Sequence, residues 1–310
     1  MENTQTNSNL NLKSTYTPVR VGDLYKASCN RQEDGERTGK QEITGISSGF
    51  KSLDGLTGGW QNSELIILAG RPSMGKSALA LNMMSNIAVN QGIPAAFFSL
   101  DSSGKHILSR LEKEEQRGDY NPLINAPLYI DDSPSLSVAE LREKTQILVR
   151  EHGVKIIMID YIQLMNASGM MYDSRLEEMS IIIRSLKALA KELNIPIIAI
   201  SQLNQSVGRY SNSPEFSESK RPQLCGLREY GSIVEDADMI CFIHRPEYYK
   251  IMKDQYGNDT KGVAEIIIAK NRNGRRGTAY LGFIDELVKF ADLPMERLEQ
   301  LTHKGADIRS

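Results

Sequence analysis

The chain has 310 residues, enough for one large α/β domain or about two smaller ones, and its 40% apolar content can supply a sizeable core. Its 37 Lys and Arg nearly balance 39 Asp and Glu, which excludes a global positive field as the means of holding nucleic acid; such binding must come from a local patch. Cys29, Cys225 and Cys241 lack metal-ligand spacing, no apolar run reaches membrane-spanning length, and the N-terminus has no signal-like apolar core, so a soluble cytoplasmic protein with reduced thiols and no membrane partner is expected.

In chain order, residues 1–42 read as a polar, disordered start, a short helix over Val19 to Cys29, and a charged linker over Asn30 to Gln41. The folded domain is expected over 43–290. Phe50, Leu53 and Leu56 fall at helical spacing, and Trp60 reads as a packing residue. The run Leu65 to Gly70 is β-prone, Ala78 to Val89 is helical, and Gly92 with Pro94 stops that helix. Ala95 to Leu100 is a second strand, Gly104 to Arg117 a charged helix, and Tyr129 to Asp132 a short strand. Ser137 and Glu140 make a capping box for a helix reaching about Arg150. Lys155 to Asp160 is a third buried strand. Leu176, Met179, Ile183, Leu186, Ala190 and Leu193 mark an amphipathic helix over Arg175 to Leu193, and Ile197 to Ser201 a fourth strand. Ser206 to Lys220 reads as a mobile loop. Met239 to Ile243, Ala264 to Ala269 and Thr278 to Phe283 are further strands, and 291–310 is a polar tail with one loose helix. Apolar strands alternating with helices predict an α/β fold with a mostly parallel twisted sheet covered on both faces.

The run Gly70-Arg71-Pro72-Ser73-Met74-Gly75-Lys76-Ser77 lies between the first strand and its helix and has the spacing G-x-x-x-x-G-K-[ST]. Glycines let successive N–H groups turn inward around phosphate oxygens, and the helix that follows aims its positive end at the same anion. Gly70, Ser73, Gly75, Lys76, Ser77 and Ala78 are therefore expected to cradle a nucleoside triphosphate, with Lys76 on the β- and γ-phosphates and Ser77 on magnesium.

Ligands of such sheets collect at the carboxyl ends of the strands. Asp160 ends the third strand and is the expected partner of Mg2+ beside Ser77. Asp101 ends the second, as a base for an attacking water, and Gln202 ends the fourth, as a sensor of the γ-phosphate. The cluster Lys270-Asn271-Arg272-Asn273-Gly274-Arg275-Arg276-Gly277 has two chemical uses: gripping a nucleic-acid backbone, or supplying a cation to a neighbouring subunit's nucleotide. His106, His152, His244 and His303 have no paired ligands and read as structural or surface residues.

Together the phosphate loop, Phe98-Ser99-Leu100, Ile159-Asp160-Tyr161-Ile162-Gln163-Leu164, Ser201-Gln202-Leu203-Asn204, Arg228-Glu229 with Gly231-Ser232-Ile233, Asp236-Ala237-Asp238 and Lys270 to Gly274 resemble, in order, the motifs of replicative DNA helicases of the DnaB type, over about Ile43 to Phe290. The resemblance implies a RecA-like P-loop ATPase in a ring-shaped hexamer that uses ATP and Mg2+ to move along single-stranded DNA during replication. By position it implies that Arg272 is an arginine finger and Lys270 its companion on the neighbour's γ-phosphate. It also implies that Arg110 faces DNA, that Arg228, Glu229 and Gly231 line the channel, and that Val19 to Cys29 is the linker helix. Three departures stand out. Aspartate replaces the family's glutamate at Asp101; the family's N-terminal helical domain is not expected here, leaving primase or loader contact open; and Leu111 to Pro127 looks shortened. The alternative function is an ATP-locked clamp on DNA with weak turnover. A recombinase of the same fold is disfavoured by Lys270 to Gly274.

Overall fold

The computed structural model describes residues 43–115, 122–203, 221–254 and 256–303. The expected N-terminal disorder, the helix over Val19 to Cys29 and the loop Ser206 to Lys220 lie outside the described residues. Everything described belongs to one unit, Glu42–Ser310.

Nine strands form one sheet: β1 Leu65–Gly70, β2 Ala95–Ser99, β3 Leu128–Asp131, β4 Ile156–Asp160, β5 Ile197–Gln202, β6 Met239–His244, β7 Val263–Asn271, β8 Gly277–Ile284 and β9 Lys289–Asp292, in the order β9-β8-β7-β6-β1-β5-β4-β2-β3. From β6 through β3 every neighbouring pair is parallel, and β1, β2, β4 and β6 are buried throughout, as is β5 up to Ser201. Such unbroken apolar runs are what a strand covered on both faces requires. Alternate residues feed two cores: Ile66, Leu68, Phe97, Met158 and Ile200 point to one face, Leu65, Ile67, Phe98, Ile157 and Ala199 to the other.

The helices follow their sequence signals. Lys51–Thr57 (α1) has Phe50 as N-cap residue and ends on Gly58. Lys76–Ser85 (α2) continues as a π-helical turn over Asn86–Asn90. Gly104–Glu115 is α3, and Val138–His152 (α4) begins in the expected capping box, with Ser137 and Glu140 exchanging both bonds. Arg175–Leu193 (α5) starts on Ser174 and stops on left-handed Asn194. Trp60 is buried in the core, as expected.

Two differences matter for the site. First, β7, β8 and β9 run antiparallel, β7 against β6, β8 against β7 and β9 against β8. Among the described residues no α-helix lies between β6 and β7, so the connection does not make a helical parallel crossover. Secondly, the sheet has one strand beyond Thr278 to Phe283, the last one expected: Lys289–Asp292 is a strand, because Phe290 packs edge-on against Phe283 and its N–H donates to Asn82 Oδ1 at 2.7 Å. The expected helix beyond it is Met295–His303.

No helix among the described residues is long and apolar enough to cross a membrane. Cys241 is buried in the core, which pushes its thiol up to about 12, whereas Cys225 is exposed.

Candidate nucleotide site and a cationic loop at the opposite sheet edge

The phosphate loop leaves the carboxyl end of β1 and enters α2. Gly75 caps that helix at φ 92°, and a Cβ there would sit 2.9 Å from the Phe290 ring, so the turn admits only glycine. Lys76 is buried under the loop, and its Nζ donates to the Arg71 carbonyl at 2.9 Å. Burial lowers its pKa to about 8, against the opposing pull of Asp160. Asp160, at the end of β4, accepts a hydrogen bond from the Ser77 hydroxyl; burial nevertheless raises its carboxyl above the ordinary range. One buried cation, one hydroxyl and one carboxylate thus converge beside the backbone of the loop. That donor set suits a magnesium–phosphate pair, because magnesium takes few protein ligands and completes its shell with phosphate oxygens and water.

The expected residues Ser73, Gly75, Lys76, Ser77, Ala78, Asp101, Asp160 and Gln202 all line one cleft of about 480 Å³. Gly70 precedes them at the end of β1, where a Cβ would come within 3.3 Å of the Ile243 carbonyl. Asp101 is exposed on the turn after β2, which Ser99 Oγ braces by donating to the Ser102 carbonyl at 2.7 Å. Gln202 is held by Gln163, a residue of the third motif to which the sequence alone gives no role. The Gln163 amide donates to Ser201 Oγ (2.9 Å) and to the Gln202 carbonyl (3.1 Å), and Gln163 Oε1 accepts from the Gln202 N–H (3.3 Å).

Arg110, which the resemblance sets facing DNA, is placed near the phosphate loop. It lines this same cleft from α3, and its charge acts on Asp160. His106, read as a structural or surface residue, lines it too. Arg245 was missed, although it follows strand β6 at its carboxyl end and the strand-end rule would have found it. Its guanidinium lies 3.5 Å over the Phe283 ring and pairs with Asp285. Leu287 and Val288, on the connection to β9, complete the wall.

The expected channel residues are on another part of the chain. The backbone of Arg228 and Glu229 lies in a 3₁₀ segment, Leu224–Tyr230, while their side chains fall outside the described residues. Gly231 packs its backbone on α5: a Cβ would collide with Ser180 Oγ and come within 2.7 Å of the Leu176 carbonyl, and φ is 66°. Gly231→Ala is therefore expected to destabilise the fold by about 2 kcal/mol or more, read from the urea midpoint. An unchanged midpoint would mean that this close approach is not maintained in solution.

Lys270 and Arg272 stand at the opposite sheet edge from the phosphate loop. Because β7 is antiparallel, its end lies against the start of β6, with Lys270 opposite Ile240 and Asn271 opposite Met239. Lys270 Nζ donates to the carbonyls of Val234, Glu235 and Ala237 at 2.9, 3.0 and 2.6 Å, closing the one-turn helix Ile233–Asp236; burial lowers its pKa. All its donors are engaged, so in this conformation it braces rather than reaches out. Arg272 Nη1 pairs with Asp238 Oδ1 at 3.1 Å, while half of its side chain faces solvent. It borders a second cavity, of about 610 Å³, shared with Glu64, Lys187, Lys191 and Asn273.

The family model described as DnaB-like helicase C terminal domain matches residues 45–121 and 112–292. The replicative DNA helicase DnaB of Geobacillus stearothermophilus is 43% identical over 272 residues, covering 81% of this chain and 57% of that protein. The replicative DNA helicase DnaB of Pasteurella multocida is 42% identical over 304 residues, covering 90% and 62%. Among solved structures, one ATPase domain superposes with a TM-score of 0.76 at 32% identity, covering 90% of this chain and all of that one. A DnaB-like replicative helicase studied with its interactions with primase gives 0.74 at 31% identity, covering 90% and 68%. The chain spans less than two thirds of the length of the curated relatives named here.

Proposed function

The chain belongs to the DnaB-like helicase C-terminal domain family, a nucleotide-binding RecA-like fold, and from that premise we propose that it is an ATP-driven, ring-forming motor on single-stranded DNA that serves duplex separation in replication. One observation carries the ring. The exposed guanidinium of Arg272 is anchored beside Leu65, at the start of β1, whereas the phosphate loop begins at Gly70, about 17 Å further along the strand. A finger in that place serves a triphosphate only on another copy. The interface is then heterologous, head to tail, and such contacts close into rings, a hexamer among them.

Within one copy, backbone N–H groups of the loop after Pro72, from Ser73 to Ala78, and the Lys76 ammonium hold the β- and γ-phosphates of ATP. Ser77 and Asp160 would hold Mg2+, which when bound would supply charge neutralisation at the phosphate oxygens. Asp101 accepts the proton of the attacking water, and Gln202, steadied by Gln163, reports the γ-phosphate to the segment that follows it. Arg272 of the adjacent copy stabilises charge on the transferred phosphoryl group. Lys270 fixes the loop that carries it. For DNA contact, Arg228, Glu229 and Gly231 remain the proposed channel segment, while Arg110 is better suited to the nucleotide, since it faces the phosphate cleft. Primase, named with one relative, is a proposed partner only.

Asp101 sets the expected speed. Its carboxylate is one methylene shorter than glutamate, and a misplacement of about 1 Å costs on the order of a hundredfold. Asp101→Glu should raise kcat by about tenfold or more, in ATP hydrolysis measured with and without single-stranded DNA. Stimulation by DNA together with that rise supports the motor. Tight DNA binding with negligible turnover in both proteins favours the ATP-locked clamp.

A further inference from the structure

Asp238 lies just ahead of β6, and its side chain is 4% exposed. Oδ2 accepts from the Leu65 N–H at 2.8 Å and from Lys187 Nζ at 2.5 Å. Oδ1 is turned the other way and takes the Arg272 guanidinium. The backbone of the finger loop is fixed independently. The Arg272 N–H donates to the Asp238 carbonyl at 2.9 Å, Asn273 Nδ2 donates to Glu64 Oε1 at 2.6 Å, and Lys270 holds its three carbonyls. With the loop mounted at these points, the remaining freedom belongs to the Arg272 side chain, and one carboxylate oxygen determines where that side chain points.

We infer that Asp238 is the positioning residue for Arg272: an almost buried carboxylate, held in orientation by Leu65 and Lys187, that aims the guanidinium across the mouth of the 610 Å³ cavity at the nucleotide of a second copy. This rests on the shared-site reading proposed above. The pairing has chemical logic. An arginine with roughly half of its side chain in solvent samples many rotamers, and fixing it before the second copy arrives removes an entropy cost from the hydrolytic step. One carboxylate oxygen leaves the rest of the guanidinium fork unsatisfied and available to phosphate. Asp238 touches no substrate atom; it acts through Arg272.

Asp238→Asn, in the full chain, keeps the shape and an acceptor oxygen but loses the charge. The expected result is a fall in kcat on the order of tenfold to a hundredfold, with the affinity for ATP, read on a fluorescent analogue, unchanged. The decisive readout is mixing with Lys76→Ala, whose own loop is disabled but whose Arg272 and Asp238 are intact. Random co-assembly sets an intact finger against an intact loop at roughly one site in four, so the mixture should recover about a quarter of wild-type turnover. The mixing also separates aim from stability: an Asp238→Asn copy that had lost its fold would have no loop to lend, so recovery requires that its own phosphate cleft is intact. Unchanged or faster turnover in Asp238→Asn, or failure to recover on mixing, overturns the inference. If Arg272→Ala mixed with Lys76→Ala recovers where Asp238→Asn does not, only the role of Asp238 falls; if neither recovers, the shared site falls with it.

Discussion

Lys76→Met is expected to make the nucleotide-free protein more stable while reducing ATP hydrolysis by about a hundredfold or more. Both effects have one cause. The ammonium is buried under the loop with its pKa pulled from 10.5 down to about 8, so the folded chain bears a desolvated charge that the unfolded chain hydrates freely. The sign follows from proton counting. Between about pH 8 and 10.5 the unfolded chain retains the Lys76 proton that the folded chain has released, so stability rises with pH across that window. The full shift corresponds to at most about 3 kcal/mol, and the bond to the Arg71 carbonyl gives part of that back. Lys76→Met should therefore gain about 1–2 kcal/mol at pH 7 and lose the rise toward about pH 10, measured by urea midpoints at the two pH values. Phosphate reverses the balance, because a triphosphate is the partner the ammonium lacks; removing one such preorganised donor typically costs roughly a hundred- to a thousandfold in rate. A variant that is less stable at neutral pH, or that retains its turnover, would contradict this account of the loop.

The parallel half of the sheet and its nucleotide cleft were legible in the sequence because each signal there is local. Unbroken runs such as Ile156 to Ile159 mark strands buried on both faces, and in parallel strands the residue after the run necessarily faces the ligand edge; Asp101, Asp160 and Gln202 were found in that way. The antiparallel half was less legible because a strand's direction is set by its connections and not by its composition. The run Val263–Asn271 looks like its parallel neighbours. What distinguishes it is the short link Arg272 to Arg276, holding Asn273-Gly274, before Gly277–Ile284 begins. That is a hairpin signal for β7 and β8; what turns β7 against β6, and so puts Lys270 and Arg272 at the far edge, is the link after β6, which holds no α-helix among the described residues. β9 escaped notice for a different reason. It has one large apolar residue, Phe290, among Lys289, Ala291 and Asp292, and its place in the sheet depends on Phe283 and Asn82, which the local pattern does not show. Gly231 is a further case: its sequence neighbourhood does not reveal that α5 lies against its backbone, close enough to exclude a side chain.

The far-edge placement makes Arg272→Ala the sharpest test of the shared site. Within one copy the finger is separated from the phosphate loop by the length of β1, and its side chain is half exposed and joined to Asp238 by a single contact. Its removal leaves every residue of the phosphate cleft in place, so ATP binding should be unaltered. Turnover should fall by about 10³-fold or more, the range in which an arginine acting on a transferring phosphoryl group operates. With donor and acceptor on different copies, as proposed, the defect should be transmitted: each Arg272→Ala copy silences the site beside it while its own loop works when a neighbour supplies the guanidinium. Arg272→Ala and Lys76→Ala, each inactive alone, should then recover roughly a quarter of wild-type turnover when mixed in equal amounts, since a random ring joins an intact loop to an intact finger at about one site in four. The measurement is steady-state phosphate release across mixing ratios. A curve that never rises above the two single variants, or a wild-type chain that hydrolyses ATP at full rate as a monomer, would place the catalytic cation inside one copy, where the antiparallel course of β7 leaves Arg272 no means of reaching.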